Sequence, residues 1–210
     1  MDQHHQDAIR NITVKLEKDP DILALLIGGS IAHGFQKENS DVDIMMIVSN
    51  DYYAKRSEEG RITYYETESC TYEGGYVDGK YVTVDYMEQV ARKGSEPARF
   101  AFEGTTIAFS TIDGLAQIIE RIVRYPIEKQ AENIVRFYSQ FEAWHWYAQE
   151  AIKQKNTYLL QHSVTQFILF GGRLILAEAE VLYPYHKWFL KVLERLEDKP
   201  DSIMDNFISC

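Results

Sequence analysis

Two aspartates one residue apart, Asp41 and Asp43, stand at the head of the apolar run Val42 to Val48. In an extended chain, residues two apart share a face, so the two carboxylates project together. Left bare, such a pair is costly, because like charges this close raise one another's pKa. A divalent cation removes the repulsion. Mg2+ takes hard oxygen ligands, keeps several waters and completes its shell with substrate phosphates rather than sitting in an all-protein cage. The complementary half lies upstream, where the run Ile22 to Ile27 ends in Gly28-Gly29-Ser30. A strand that ends there and turns into a helix presents backbone N–H groups at the positive helix end. Glycine lets that backbone approach a phosphate closely, and Ser30 adds a hydroxyl donor. With ten residues between Ser30 and Asp41, cradle and carboxylates are expected on adjacent strands, facing a metal-bound polyphosphate across one cleft.

The elements that would position these groups can be read from the hydrophobic period. Residues 6–18 carry apolar positions at loosely helical spacing and end at Lys18-Asp19-Pro20-Asp21. Residues 22–27 have strand length and stop at the glycine pair, and residues 30–35 read as the first turns of a helix broken near Gly34. Residues 42–48 are apolar on both faces, as in a central strand covered on both sides. Asp78-Gly79, between two β-rich pieces, is a hairpin signal, and residues 80–87 (KYVTVDYM) read as its second strand. Residues 106–109 make a last short edge strand. The pattern then turns helical: Asp113 is an N-cap candidate, Pro126 a stop, and two long helices are expected over 128–155 and 157–182. Pro184 breaks the chain before a short helix beginning near His186. This organisation predicts an α+β protein: a small mixed-sheet domain over residues 1–112, followed by an all-helical bundle over 113–210.

Gly29-Ser30, ten residues, then Asp41-Val42-Asp43-Ile44 resembles the signature of the DNA polymerase β-like nucleotidyltransferase superfamily, over roughly residues 22–88. That resemblance implies a third carboxylate on a later strand, and Asp85, in Tyr-Val-Thr-Val-Asp-Tyr-Met, is the best match. It implies an enzyme that transfers a nucleoside monophosphate, AMP from ATP by family default, to a hydroxyl with release of pyrophosphate. Two Mg2+ ions would be bridged by Asp41 and Asp43, with Asp85 on the ion that activates the acceptor, and Gly28, Gly29 and Ser30 on the triphosphate. An α+β core followed by about a hundred helical residues resembles the antibiotic nucleotidyltransferases, which modify aminoglycosides or lincosamides and wall the acceptor pocket with their C-terminal helices. In that picture Lys187, beside Tyr183, Tyr185, His186 and Trp188, either caps a helix end or reaches the triphosphate. The alternative is an antitoxin-type nucleotidyltransferase that binds or adenylylates a protein partner, disfavoured by so long a helical tail.

Composition narrows the partners. Charge is −10, from 22 Lys+Arg against 32 Asp+Glu, with no basic stripe to track a nucleic-acid backbone. The start, MDQHHQDAIR, has no basic-then-apolar signal character, and no run of 18 apolar residues reads as a membrane span. The two cysteines, Cys70 and Cys210, are far apart and match no metal spacing, so a reducing cytoplasm is expected. The histidines His4, His5, His33, His145 and His162 show no ligand spacing, so no zinc site is expected. Phe137, Phe141, Trp144 and Tyr147 recur at helical spacing and read as packing, and Glu103 is an unassigned acid. Either a monomer or a homodimer fits this reading.

Overall fold

In the computed structural model, which describes residues 1–209, the chain opens with helix Gln3–Leu16 (α1). Its residues Ala8, Ile12 and Leu16 recur every four positions and pack on one face of a sheet. The first strand is Ile22–Ile27 (β1), followed by the single helical turn Gly29–Ala32 (α2) and the strand Val42–Val48 (β2). Helix Asn50–Glu58 (α3) and strands Thr63–Glu66 (β3) and Val77–Thr83 (β4) come next. Helices Val84–Lys93 (α4) and Glu96–Phe100 (α5), strand Thr106–Ser110 (β5) and helix Leu115–Val123 (α6) complete the first unit.

The five strands lie in the order β3-β4-β2-β1-β5. Only β2 and β4 run parallel; the other three pairs are antiparallel. One face, formed by Ile22, Leu25, Ile27, Val42, Ile44, Met46, Val48, Val77 and Tyr81, is covered by α1. The other, with Ala24, Leu26 and Ile47, is covered by Met87 and Val90 of α4 and by Leu115, Ile118 and Ile122 of α6. Both central strands are thus covered on two sides, which is why β1 and β2 read as near-continuous apolar runs.

Two sequence expectations change here. Asp78-Gly79 is not a hairpin turn but lies inside β4, with Gly79 opposite Ile44 of β2 and Tyr64 of β3. A Cβ on Gly79 would fall 2.6 Å from Ile44 Cγ1, so this glycine makes room for core packing. The strand also ends at Thr83 rather than running on through Asp85. The Thr83 side chain accepts the Tyr86 N–H and caps α4, whose apolar positions Val84, Met87 and Val90 have helical spacing.

The chain separates into two compact units after Arg124. Helix α6 therefore belongs with the sheet and not with the helical segment expected from residue 113. Its amphipathic face fills the second core, and Arg99 pins its end. The buried Arg99 guanidinium donates to the carbonyls of Arg121, Ile122 and Arg124 at the end of α6, and to those of Ala91 and Gly94 at the end of α4. One cation thus satisfies orphan carbonyls from two helix C-termini.

The second unit begins at Tyr125 and is helical throughout its described elements: a 3-10 turn Ile127–Lys129, then Gln130–Gln154 (α7), Thr157–Glu178 (α8), Phe189–Arg195 (α9) and Ile203–Ser209 (α10). Helices α7 and α8 form a hairpin closed by Lys155 in the left-handed region and by Asn156, whose side chain caps α8. Phe137 is buried, and Phe141 stacks on Phe167 at 4.2 Å, so both serve as packing. No helix among the described residues is long and apolar enough to cross a membrane. Cys70 is a free thiol, and Cys210 lies outside the described residues.

Candidate active site

The site is built where β1 ends. The Gly28 N–H donates to the Asp43 carbonyl at 2.9 Å, holding the glycine turn against the start of β2. Gly29 then takes φ +59°, and the Asp43 side chain packs directly over its Cα. A Cβ at that position would lie 1.7 Å from Asp43 Oδ2 and 2.5 Å from Asp43 Cβ. Glycine is required here twice over, by the backbone and by the carboxylate that occupies the space. Ser30 follows, with its Oγ buried and without a hydrogen-bond partner. An orphaned hydroxyl beside a glycine turn fits an anion that would supply the missing acceptor. The turn is backed by the end of α5 and the segment after it: His33 stacks on Phe100 at 4.2 Å, and the Ala32 carbonyl lies 2.5 Å from where a Cβ on Gly104 would be.

The carboxylates gather opposite this turn. Asp43 of β2 pairs in register with Asp78 of the parallel strand β4. Neighbouring parallel strands lie about 4.8 Å apart and registered residues share a face, so these two acids stand side by side. Asp41, just before β2, joins them at the phenol of Tyr76. That phenol is pushed above its ordinary pKa first by the charge of Asp41, then by the hydrogen bond it gives that carboxylate, with smaller contributions from burial and from Asp78 and Asp43. Three acidic side chains thus act on one tyrosine, all of them oxygen donors, with carboxylate oxygens that do not all lie within 4.8 Å of one another. Such a set suits a hard divalent cation.

Asp85, the third acid expected from sequence, stands elsewhere. Asp85 lies in the first turn of α4, a position favoured by the helix dipole, and accepts a hydrogen bond from Asn50 Nδ2 at 2.7 Å. The stretch Asp78 to Thr83 alone spans about 17 Å, so Asp85 sits beyond the opposite end of the strand. A cavity of about 400 Å3 lined by Tyr53, Thr63, Tyr81 and Tyr86 lies along that distal stretch, away from the three carboxylates. Asp78 was hidden by its own glycine: the Asp-Gly pair carries a hairpin signal. A usable signal was there, since Val77, Gly79, Tyr81 and Thr83 are buried in alternation, leaving Asp78 on the face that Asp43 uses.

Lys187 belongs to the second unit, with its ammonium 4.8 Å from the Trp188 ring centre. Glu103 is held above the usual carboxylate range by burial.

Residues 7–105 match the family described as Nucleotidyltransferase domain. A search of the solved structures finds a nucleotidyltransferase-like protein from Exiguobacterium sibiricum, 12% identical, with a TM-score of 0.50 over 98% of this chain. The chain spans 66% of the length of that structure, and the likeness is one of fold. Among curated proteins none matches. On that match, residues 7–105 form a nucleotidyltransferase domain of the DNA polymerase β-like superfamily.

Proposed function

We propose that the protein transfers AMP from ATP to a hydroxyl group of a small, cationic acceptor of the aminoglycoside class. The acceptor oxygen attacks the α-phosphorus, the bond from that phosphorus to the bridging oxygen of the β-phosphate breaks, and pyrophosphate leaves. The observation that carries this reading is the Asp43 carboxylate packed on the Cα of Gly29, with Asp78 alongside in register. It ties an acidic metal set to an anion-binding turn within a single contact.

Gly29 and Ser30 bind the triphosphate through backbone N–H groups and the unpartnered Ser30 Oγ, and Gly28, whose own N–H is held by the Asp43 carbonyl, lets the backbone approach closely. Asp41, Asp43 and Asp78 would hold two Mg2+ ions, with Asp78 in the role first given to Asp85. Bound Mg2+ neutralises charge developing on the attacking and leaving oxygens of an in-line displacement. Asp78 also receives the proton of the acceptor hydroxyl. A net charge of −10 draws a cationic acceptor and repels a polyanionic one.

The test uses ATP labelled at the α-phosphate, Mg2+ and a panel of aminoglycosides, lincosamides and candidate protein acceptors. Label on an amine-bearing small molecule is the expected result. Asp43→Asn and Asp78→Asn should each lower transfer at least 100-fold, whereas Asp85→Asn should stay near wild type. Native turnover in Asp78→Asn, or a loss confined to Asp85→Asn, overturns the assignment of the acids. Label confined to a protein acceptor replaces the small-molecule reading with adenylylation of a partner.

A further inference from the structure

We propose that Asp2, His4 and His5 form a second metal site, one that takes a borderline transition-metal ion of the zinc class rather than Mg2+. Each of the three offers a ligand atom, and these atoms all lie within 4.8 Å of one another. The spacing Asp-Gln-His-His matches no familiar motif, which is why the sequence pointed away from zinc. The argument comes from what the rest of the fold does to the two rings.

His4 Nε2 lies 2.8 Å from the Glu38 carbonyl and His5 Nε2 lies 3.1 Å from the Ser40 carbonyl. A carbonyl only accepts, so both rings donate from Nε2, which in the neutral ring leaves the Nδ1 lone pair for a metal. Metal-binding histidines are oriented in this way, with the distal N–H given to a backbone carbonyl. His5 is fully buried, and its Nδ1 has no hydrogen-bond partner. That nitrogen lies 3.7 Å from Asp2 Oδ2, too far for a hydrogen bond. It is close to the separation of about 3.4 Å that two ligands of one tetrahedral zinc would have. Asp2 meanwhile occupies the N-cap of α1 without capping it, so its carboxylate is not committed to the helix. The rings sit 4.2 Å apart, His4 lies against Tyr72, and His4 also lines an open cavity of about 510 Å3 with Lys37, Glu38, Asn39, Tyr72 and Glu73. Three nitrogen and oxygen ligands plus an opening to solvent describe a site with a vacant fourth position rather than a closed structural one.

The consequence reaches the nucleotidyltransferase site through the chain. Glu38 and Ser40, which orient the two rings, belong to the segment that delivers Asp41, and Tyr72 donates to the Ser40 carbonyl at 2.6 Å. A metal on His4 and His5 therefore tightens the segment immediately before Asp41.

The experiment is a titration of the full-length protein with Co2+ in excess Mg2+, read by visible absorption, since nitrogen-rich four-coordinate Co2+ absorbs far more strongly than the octahedral ion. The expected result is one equivalent of intensely absorbing Co2+, displaced by Zn2+. His5 is a core side chain, so His4→Ala and Asp2→Asn, both outside the core, are the informative variants. Each should weaken binding about 100-fold while keeping the far-ultraviolet circular dichroism of the parent. Asp43→Asn should leave the absorption unchanged, which separates this site from the Mg2+ carboxylates. Native Co2+ affinity in both His4→Ala and Asp2→Asn, or no strong absorption in the parent, overturns the proposal.

Discussion

Replacing Gly29 by alanine tests the geometry most directly. The added Cβ would lie 1.7 Å from Asp43 Oδ2, 2.2 Å from its Cγ and 2.5 Å from its Cβ. Rotating the Asp43 side chain relieves the first two overlaps but not the third, so the glycine turn or β2 has to shift. The backbone adds to the cost, because φ is +59° and a left-handed conformation costs an L-residue about 1–2 kcal/mol. Gly29→Ala should therefore lower stability by at least about 2 kcal/mol, or roughly 5–10 °C in Tm for a unit of this size. Displacing a catalytic carboxylate by about 1 Å costs on the order of 100-fold in rate, so nucleotidyl transfer should fall by at least that factor. The control is the neighbour. Gly28 has φ −126°, and a Cβ there would meet nothing closer than Thr105 Cγ2 at 3.7 Å and Met45 Cε at 3.8 Å. Gly28→Ala should melt within about 2 °C of wild type. Differential scanning calorimetry of both variants, beside the α-labelled ATP assay on Gly29→Ala, makes the comparison. Equal melting temperatures for the two, or a Gly29→Ala protein with native turnover, would refute the claim that Asp43 occupies the space a side chain needs.

Three further outcomes are expected. The Tyr76 phenol is raised chiefly by Asp41, so Asp41→Asn should bring its titration down toward the ordinary tyrosine value, as should saturating Mg2+. Ultraviolet difference titration referenced to Tyr76→Phe measures this, and an unmoved phenol would separate Tyr76 from the acids. Burial disfavours the charged form of Glu103, so its folded pKa lies above its unfolded one and the folded state binds more protons between them. Stability is therefore lost as pH rises through the window just above the usual carboxylate range. Glu103→Gln should melt higher than wild type at pH 7 and lose that advantage toward pH 4, whereas a pH-independent difference would contradict the assignment. Arg99→Met should cost about 3 kcal/mol, because it leaves the ends of α4 and α6 without a donor, and chemical denaturation would read the loss. A change under about 1 kcal/mol would mean that solvent serves those carbonyls equally well.

Much of this was legible in the chain. The runs Ile22–Ile27 and Val42–Val48 are strands at the residues where their apolar stretches begin and end, because burial on both faces leaves no other choice for a short β-rich segment. The two long helices over 130–154 and 157–178 follow their period, with Asn156 and Lys155 marking the turn between them. The Gly-Gly-Ser turn and the Asp-Val-Asp entry are local patterns, and local chemistry explains them.

What the sequence by itself determined, then, is the kind of site: a glycine turn able to approach an anion, and two carboxylates sharing a strand face ten residues later. Tertiary structure decided where the two candidates for a third acid stand. Asp78 and Asp85 are both acids in a β-rich stretch, and local propensity favoured Asp85, since Asp-Gly reads as a turn and Val-Thr-Val-Asp as a strand. Register separates them. Pairing β4 in parallel with β2 sets Asp78 opposite Asp43, while the Thr83 cap turns Asp85 into a helix. The same holds for Asp2, His4 and His5, neighbours in sequence whose ring nitrogens are oriented by carbonyls 34 and 35 residues away. Contacts between distant residues depend on how the strands and helices pack, and no local period encodes them.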